Sequence, residues 1–320
     1  MKKALFLLLV ILAPLFSRAQ LIACRDSIKN GYDFWLYLPE DYESATKPKP
    51  IIMFLHGKSL SGHNLSMLKQ YGCIDALLRG REIDAIVVAP QTSTSWVPEK
   101  VDEVYDWVKD HYVVDTNRFY VLGMSLGGYG TIDYTATYPE KVAAAMAMCG
   151  GATVTSVCGL NDVPLWIIHG TGDNAVSVSC SEKVVSDMAS CGDTSRVIFD
   201  KIPKANHGAL ARVFYLEETY KWLLSHSLAD STRKVNMDYT MTDSLLHTAY
   251  ANLNKDFKFK IIDSKPSTYT TTNSQYYIVI KGDCLSAIAR KNHTTVSKIC
   301  QLNGIKESAT LSIGQKIKLK

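Results

Sequence analysis

The strongest constraint on this chain is an alternation. Short, continuous apolar runs recur between amphipathic stretches across about 200 residues. "PIIMFLH" at 50–56, "IDAIVVAP" at 83–90, "RFYVLGM" at 118–124, "VAAAMAMCG" at 142–150, "PLWIIHG" at 164–170 and "RVIFDKI" at 196–202 read as strands. Runs without a polar face suit strands covered on both sides. "DFWLYL" at 33–38 alternates and reads as a half-covered strand. Between the runs, "PEKVDEVYDWVKDHY" at 98–112 opens on a proline and acids and repeats Val101, Val104, Tyr105 and Val108 at helical spacing. Residues 126–137, 179–190 and 211–228 read as further helices. Strands alternating with helices imply an α/β fold with a mainly parallel sheet.

In such sheets the chemistry gathers at the carboxyl ends of the strands. His56 and Gly57 follow the first apolar run, Ser125 follows "FYVLGM", "HGTGD" (169–173) follows "PLWII", and Asn206, His207 and Gly208 follow the last run. Ser125 sits in Gly-Met-Ser-Leu-Gly between a strand and a helix. A turn that tight leaves no room for side chains at Gly123 and Gly127 and presents the serine above the sheet.

The order Ser, Asp, His suits nucleophilic catalysis. A serine hydroxyl needs a base, and His207 is the candidate; Asp173 would hold that imidazole in one tautomer. Asp162 and Asp200 are the other acids open to that role. The N–H of Leu126, at the helix start, and that of Lys58, after His56-Gly57, are candidate donors to the oxyanion. His56 is expected to shape that loop and His169 to support the loop of the acid. His63, His111, His226 and His247 sit in no motif. Trp96 has two readings, a wall for a sugar or aromatic acyl group or a residue packed on the next helix. No metal or cofactor is expected.

"FLHGKS", "GMSLGG", "IIHGTGD" and "ANHG" resemble the secreted carboxylesterase branch of the α/β-hydrolases, which includes polyhydroxybutyrate-depolymerase-like, feruloyl and acetyl-xylan esterases. The resemblance spans residues 28–228. It implies hydrolysis of a carboxylic ester through an acyl-enzyme. A serine peptidase or acyltransferase with the same triad, or an inactive hydrolase serving as a wall-binding protein, are the alternatives. With no lid-sized insertion between the triad strands, an open site suits a polymer-borne ester.

Residues 276–320 read strand, "LSAIARKN" helix, "TVSKICQLN" helix, strand. This resembles a LysM domain, a small βααβ module. The resemblance implies binding to N-acetylglucosamine chains of peptidoglycan or chitin, with Gly282, Asp283, Cys284, Leu285, Asn303, Gly304 and Ile305 as candidate contacts. Cys284 stands where that family has Thr or Ser. The polar stretch 229–274 reads as a linker, although "DSLLHTAYANL" within it has helical character.

At the start, "MKKALFLLLVILAPLFSRAQ" joins two lysines to an apolar run of about a dozen residues. Residues 1–19 are therefore expected to be a secretory signal, the hydrolase domain to span 20–228 and the LysM module 275–320. Localisation would be secreted, periplasmic or envelope-associated, with no integral membrane segment after cleavage. "LIAC" also resembles a lipobox with Cys24 as the lipid-bearing residue. The chain carries a net charge of +4. Residues 275–320 hold eight basic and two acidic residues, so the tail is basic and the mature body mildly acidic. Anionic surfaces fit that tail, and secretion argues against nucleic acid. Eight cysteines in a secreted chain permit disulfides. Cys149–Cys158, Cys180–Cys191 and Cys284–Cys300 are the sequence-local pairings.

Overall fold

The structure is a computed structural model that describes residues 18–42, 44–263 and, in the tail, 276–279, 283–285, 288–289, 292, 294–307, 309, 311–312 and 315–319. Nearly all of the expected signal, residues 264–274 of the expected linker, and Gly282 lie outside the described residues.

The body is a nine-stranded sheet. In chain order the strands are β1 (Gln20–Cys24), β2 (Asp33–Leu38), β3 (Lys49–Leu55), β4 (Ile86–Gln91), β5 (Val114–Met124), β6 (Ala144–Met148), β7 (Leu165–Gly170), β8 (Val197–Ile202) and β9 (Lys260–Ile262). They lie in the order β8-β7-β6-β5-β3-β4-β2-β1-β9. β3 to β8 run parallel, and β2 is antiparallel to both β4 and β1. This is the mainly parallel α/β sheet that the sequence pattern implied, in the α/β-hydrolase fold that the resemblance implied. The helices are α1 (Cys73–Leu78), α2 (Pro98–His111), α3 (Leu126–Thr137), α4 (Val178–Cys191), α5 (Glu217–Leu224) and α6 (Asp243–His247).

β3 shows why an unbroken apolar run was needed. Ile52 and Phe54 join the core on one face of the sheet, while Ile51, Met53 and Leu55 join the core on the other. Every second residue of a strand faces the same way, so a strand covered twice must be apolar throughout.

The helix expected over 211–228 is two elements. A 3-10 segment runs His207–Tyr215, Leu216 is extended, and α5 follows. Thr219 Oγ1 and Tyr220 Oη donate to the carbonyls of Val213 and Phe214, absorbing acceptors that the break exposes. Glu217 and Glu218 then start α5, where acids suit the helix dipole.

The reading of 229–274 as linker is corrected over its described part, 229–263. Met241, Leu246 and Ala249 are buried in the main core, and β9 pairs in parallel with β1. The buried Arg81 guanidinium donates to the carbonyls of Tyr215 and Ala251, at 2.9 and 3.0 Å. Gly80, at φ +95°, lets the backbone of Asn254 approach; a Cβ there would lie 2.0 Å from the Asn254 oxygen. Polarity disguised the segment because only a few of its side chains point inward. The lipobox reading also meets an obstacle. Cys24 is buried within β1, and an N-terminus at Cys24 would delete the residues that pair with both neighbours.

One disulfide joins Cys158 to Cys191, and Cys149 and Cys180 are thiols. The first two of the three local pairings therefore fail because the bridge takes one member of each. Cys284 and Cys300 are thiols as well. In the tail, β10 (Tyr276–Ile278) pairs antiparallel with β11 (Lys316–Lys318), and α7 (Val296–Asn303) packs over a small core of Val279, Leu285, Ile288, Ile299 and Ile317.

Candidate active site

Ser125 forms the corner between β5 and α3, at φ +60° and ψ −122°. A non-glycine residue held there is strained, and the surroundings must enforce it. Ser125 N–H donates to Met148 O at 2.9 Å, and its carbonyl accepts from Tyr129 N–H at 3.0 Å. A Cβ at Gly127 would lie 1.8 Å from Leu55 O, and one at Gly123 would lie 2.4 Å from Gly127 O. β3, β5 and α3 pack this closely only because both positions lack side chains. Ser125 heads a helix, so the Leu126 N–H is among those with no partner within the helix.

Asp173 lies in the turn after β7 with its side chain wholly buried. One carboxylate oxygen accepts from the N–H groups of Ala175 and Val176, at 2.8 and 2.9 Å. The other lies 2.6 Å from His207 Nδ1. Burial pushes this carboxyl up. The Val176 amide, the His207 contact and the Ala175 amide outweigh it and hold the group below its ordinary range. His207 opens the 3-10 segment after β8, where the Asn206 side chain caps the turn through Ala209 N–H at 3.0 Å. With Nδ1 bound to Asp173, Nε2 is left for other chemistry.

Neither alternative acid contacts His207 among the described residues. Asp200 accepts from Trp166 Nε1, Thr240 Oγ1 and Met241 N–H, which pins the 229–263 segment to the sheet. His169 is buried and braces the acid's loop. It contacts Ser181 Oγ, the Val176 carbonyl and, at 3.5 Å, Asp173.

Cys149 was misread as a disulfide partner. It is buried at φ +47° and its thiol bonds to Asp173. Burial, then the Asp173 charge, push that thiol far up, so it stays protonated. Cys149, His169 and Asp173 bring donor atoms within 4.8 Å of one another. The Asp173 oxygens and both His169 nitrogens already have protein partners, so the cluster reads as a hydrogen-bonded seat for the acid.

His56, also buried, fixes the loop after β3. Its Nδ1–H donates to Gly57 O at 2.8 Å and its Nε2 accepts from Thr92 N–H at 3.1 Å. These contacts require the neutral ring, and burial lowers its pKa to about 4. Lys58 then starts a short 3-10 turn with an exposed side chain. A Cβ at Gly57 would lie 3.5 Å from Ser125 Cβ, so this loop flanks the serine.

Trp96 is structural, but it packs against α3 and the loop after β3 rather than on the helix that follows it. It is buried, donates from Nε1 to His56 O at 3.1 Å, and packs edge-on against His56 and Tyr32. Gly130 makes room for it on α3. It supports the loop after β3 from behind and lines no sugar-binding wall.

Tyr71 escaped the sequence reading because it sits in no motif. Its hydroxyl accepts from Gly57 N–H at 3.1 Å and from Ser59 Oγ at 3.4 Å.

The tail candidates divide. Leu285 is buried in the small core, so it is not a surface contact. The Asn303 amide is spent on Lys318 N–H and O, both at 2.7 Å, tying α7 to β11. Gly304 caps α7 in the left-handed region at φ +63°. Asp283 accepts from Tyr277 Oη at 2.8 Å, and Cys284 is exposed. Ile305 packs partly against the small core.

A family model described as "Putative esterase" matches residues 26–190, and a LysM domain model matches residues 277–320. A bifunctional acetylxylan esterase/xylanase, XynS20E of Neocallimastix patriciarum, is 26% identical over 156 residues, covering 46% of this chain and 22% of that one. The uncharacterized lipoprotein YgeR of Escherichia coli (strain K12) is 41% identical over 56 residues, covering 18% and 22%. The chain thus spans about a fifth of the length of these curated relatives. Among solved structures, a thermostable esterase aligns at TM-score 0.54 and 24% identity, over 66% of this chain and 64% of that one. An S-formylglutathione hydrolase (FrmB) from Staphylococcus aureus aligns at 0.50 and 18%, over 67% and 99%. At these identities the structural likeness speaks to the fold.

Proposed function

The chain belongs to the esterase family whose model it matches over residues 26–190, and from that premise we propose that it is a secreted serine carboxylesterase acting on a glycan- or polymer-borne ester. The observation that carries this reading is the 2.6 Å contact between His207 and a fully buried Asp173, on the sheet that presents Ser125 at a strained corner. His207 Nε2 takes the Ser125 proton as the hydroxyl oxygen attacks the ester carbonyl. Asp173 stabilises the imidazolium. The carbonyl electrons move onto oxygen, where the N–H groups of Leu126 and Lys58 receive the charge. Collapse expels the alcohol, which takes the proton back from His207. Water, activated by the same imidazole, then releases the acid from the acyl-serine.

Residues 277–320, matched as a LysM domain, are proposed to hold the enzyme on peptidoglycan or a chitin-type glycan. A modest binder joined to the catalytic body raises the local concentration of enzyme at a polymer. The basic tail adds attraction to an anionic wall, which salt weakens. Localisation outside the cytoplasm or at the envelope follows from the leader-like start of the sequence and the glycan-binding module. No helix among the described residues is long and apolar enough to cross a membrane.

The test is acetate release from O-acetylated peptidoglycan, with acetylated xylan as a parallel substrate. The expected result is release that requires Ser125 and is slower on the insoluble wall when 275–320 is deleted. Turnover of a small soluble ester should survive the deletion. Release that is indifferent to Ser125→Ala would overturn the catalytic reading; full wall retention without the tail would overturn the targeting.

A further inference from the structure

We infer that the Tyr71 hydroxyl is a third donor to the oxyanion, beside the N–H groups of Leu126 and Lys58. This rests on the serine-esterase reading of the site and extends it to a residue that no motif marks.

A phenol offers two acceptor positions and one donor. Gly57 N–H fills one acceptor position and Ser59 Oγ–H the other. Among the described residues no acceptor takes the phenol proton, which must point away from both donors. Ser125 and the Met124 carbonyl lie across the space beside Gly57 from the hydroxyl. A Cβ at Gly57 would meet three neighbours at once: the Tyr71 oxygen at 2.6 Å, Met124 O at 3.3 Å and Ser125 Cβ at 3.5 Å. The hydroxyl and the nucleophile therefore flank the same small volume, next to the Lys58 N–H.

The ring is held rather than free. It packs on Phe214, in the 3-10 segment that His207 opens, with ring centroids 6.4 Å apart. Tyr71 thus bridges the loop after β3 and the segment carrying the base. Burial raises its pKa, so the phenol keeps its proton across the working range. Accepting two hydrogen bonds also polarises the O–H toward stronger donation.

The step moves no atom of Tyr71. As Ser125 Oγ bonds to the carbonyl carbon, the carbonyl electron pair shifts to oxygen and the Ser125 proton goes to His207. The phenol proton stays on Tyr71 and hydrogen-bonds to the new oxyanion. On collapse the pair returns to re-form the carbonyl, the alcohol leaves with the proton from His207, and the phenol is unchanged. Ground-state ester makes a weaker bond there, so the donor acts mainly on kcat.

Two variants separate donation from support. Tyr71→Phe keeps the ring on Phe214 and removes the hydroxyl. The expected loss in kcat on a small acetyl ester is about 10²-fold or more, the scale for deleting one oxyanion donor, with KM little changed. Removing the hydroxyl also strips Gly57 N–H of its acceptor, so a second variant is needed. Replacing Tyr71 with a difluorotyrosine, whose phenol is far more acidic and whose ionisation in the protein is followed by its ultraviolet absorbance, keeps the acceptor and makes the donor titratable. If Tyr71 donates, kcat falls as the pH rises through that ionisation, a limb absent from the wild type. If Tyr71 only anchors Gly57, the phenolate anchors it at least as well and no new limb appears; that result overturns the inference. Full activity in Tyr71→Phe overturns it too. Ser125→Ala is run alongside. Its inactivity with unaffected Tyr71 variants rejects only the donor role, whereas an active Ser125→Ala rejects the esterase reading beneath it.

Discussion

His207 Nδ1 meets Asp173 Oδ2 at 2.6 Å, although the two residues are 34 positions apart and stand at the ends of different strands. β7 and β8 are parallel neighbours, so their carboxyl ends lie side by side and the loops they launch converge. The acid is held by two backbone amides and a thiol before the imidazole arrives. The Asp173–His207 pair is thus set in advance of any substrate, as the proposed catalysis requires of groups that act without reorganising.

Acid should loosen the loop after β3 before it titrates Asp173. In an unfolded chain His56 takes up a proton as the pH drops below 6.5, but the folded ring does so only below about 4. Stability is therefore full above pH 6.5 and falls between 6.5 and 4, by roughly 3 kcal/mol for this one group. Buried His226, also lowered, adds to the same slope. Asp173 works in a lower window: its contribution is present above the ordinary carboxyl pKa of 3.8 and vanishes as the pH falls through its depressed folded value. Urea midpoints between pH 7 and 4 should show a shallower slope in His56→Gln. An unchanged slope would contradict the assignment.

Trp96→Phe should act on stability and loop geometry rather than on substrate binding. The loss of its indole N–H leaves the His56 carbonyl without that donor, at a cost of about 1–3 kcal/mol. Thermal unfolding should report that loss, with KM for a soluble ester unchanged. A rise in KM at undiminished stability would restore Trp96 as a substrate wall.

Truncation locates the end of the catalytic body. A chain ending at residue 263 should unfold at the temperature of the full-length body. A chain ending at 228 loses β9 and the burial of Met241 and Leu246, about 3–5 kcal/mol from those two side chains alone. It should aggregate or melt much earlier. Equal stability of the two truncations would return 229–263 to the role of linker.

The Cys158–Cys191 bridge closes 33 residues between the turn before β7 and the end of α4. The double variant Cys158→Ser, Cys191→Ser should be about 2–4 kcal/mol less stable. Reducing agent should bring the wild type to the same unfolding midpoint and leave the variant unmoved.

The strands that carry the candidate triad were legible because covering a sheet on both faces leaves an unbroken apolar run, as in β3 and β7. The glycines at 123 and 127 were legible because backbone carbonyls occupy the space a side chain would need. Spacing along the chain did not reveal contacts made across the fold. Cys149 looks like a neighbour of Cys158 in sequence, yet it faces Asp173. Tyr71 belongs to no motif because its role depends on where the loop after β3 passes it. Residues 229–263 read as polar because their few buried side chains are set among many exposed ones.

The measurement that tests the central claim most directly is hydrolysis of p-nitrophenyl acetate by the wild type and by Ser125→Ala, both shown to be folded by circular dichroism. Turnover by the wild type is expected, with a loss of about 10⁴-fold or more in kcat for the variant. Equal turnover by both proteins, or none by a folded wild type, would contradict that claim.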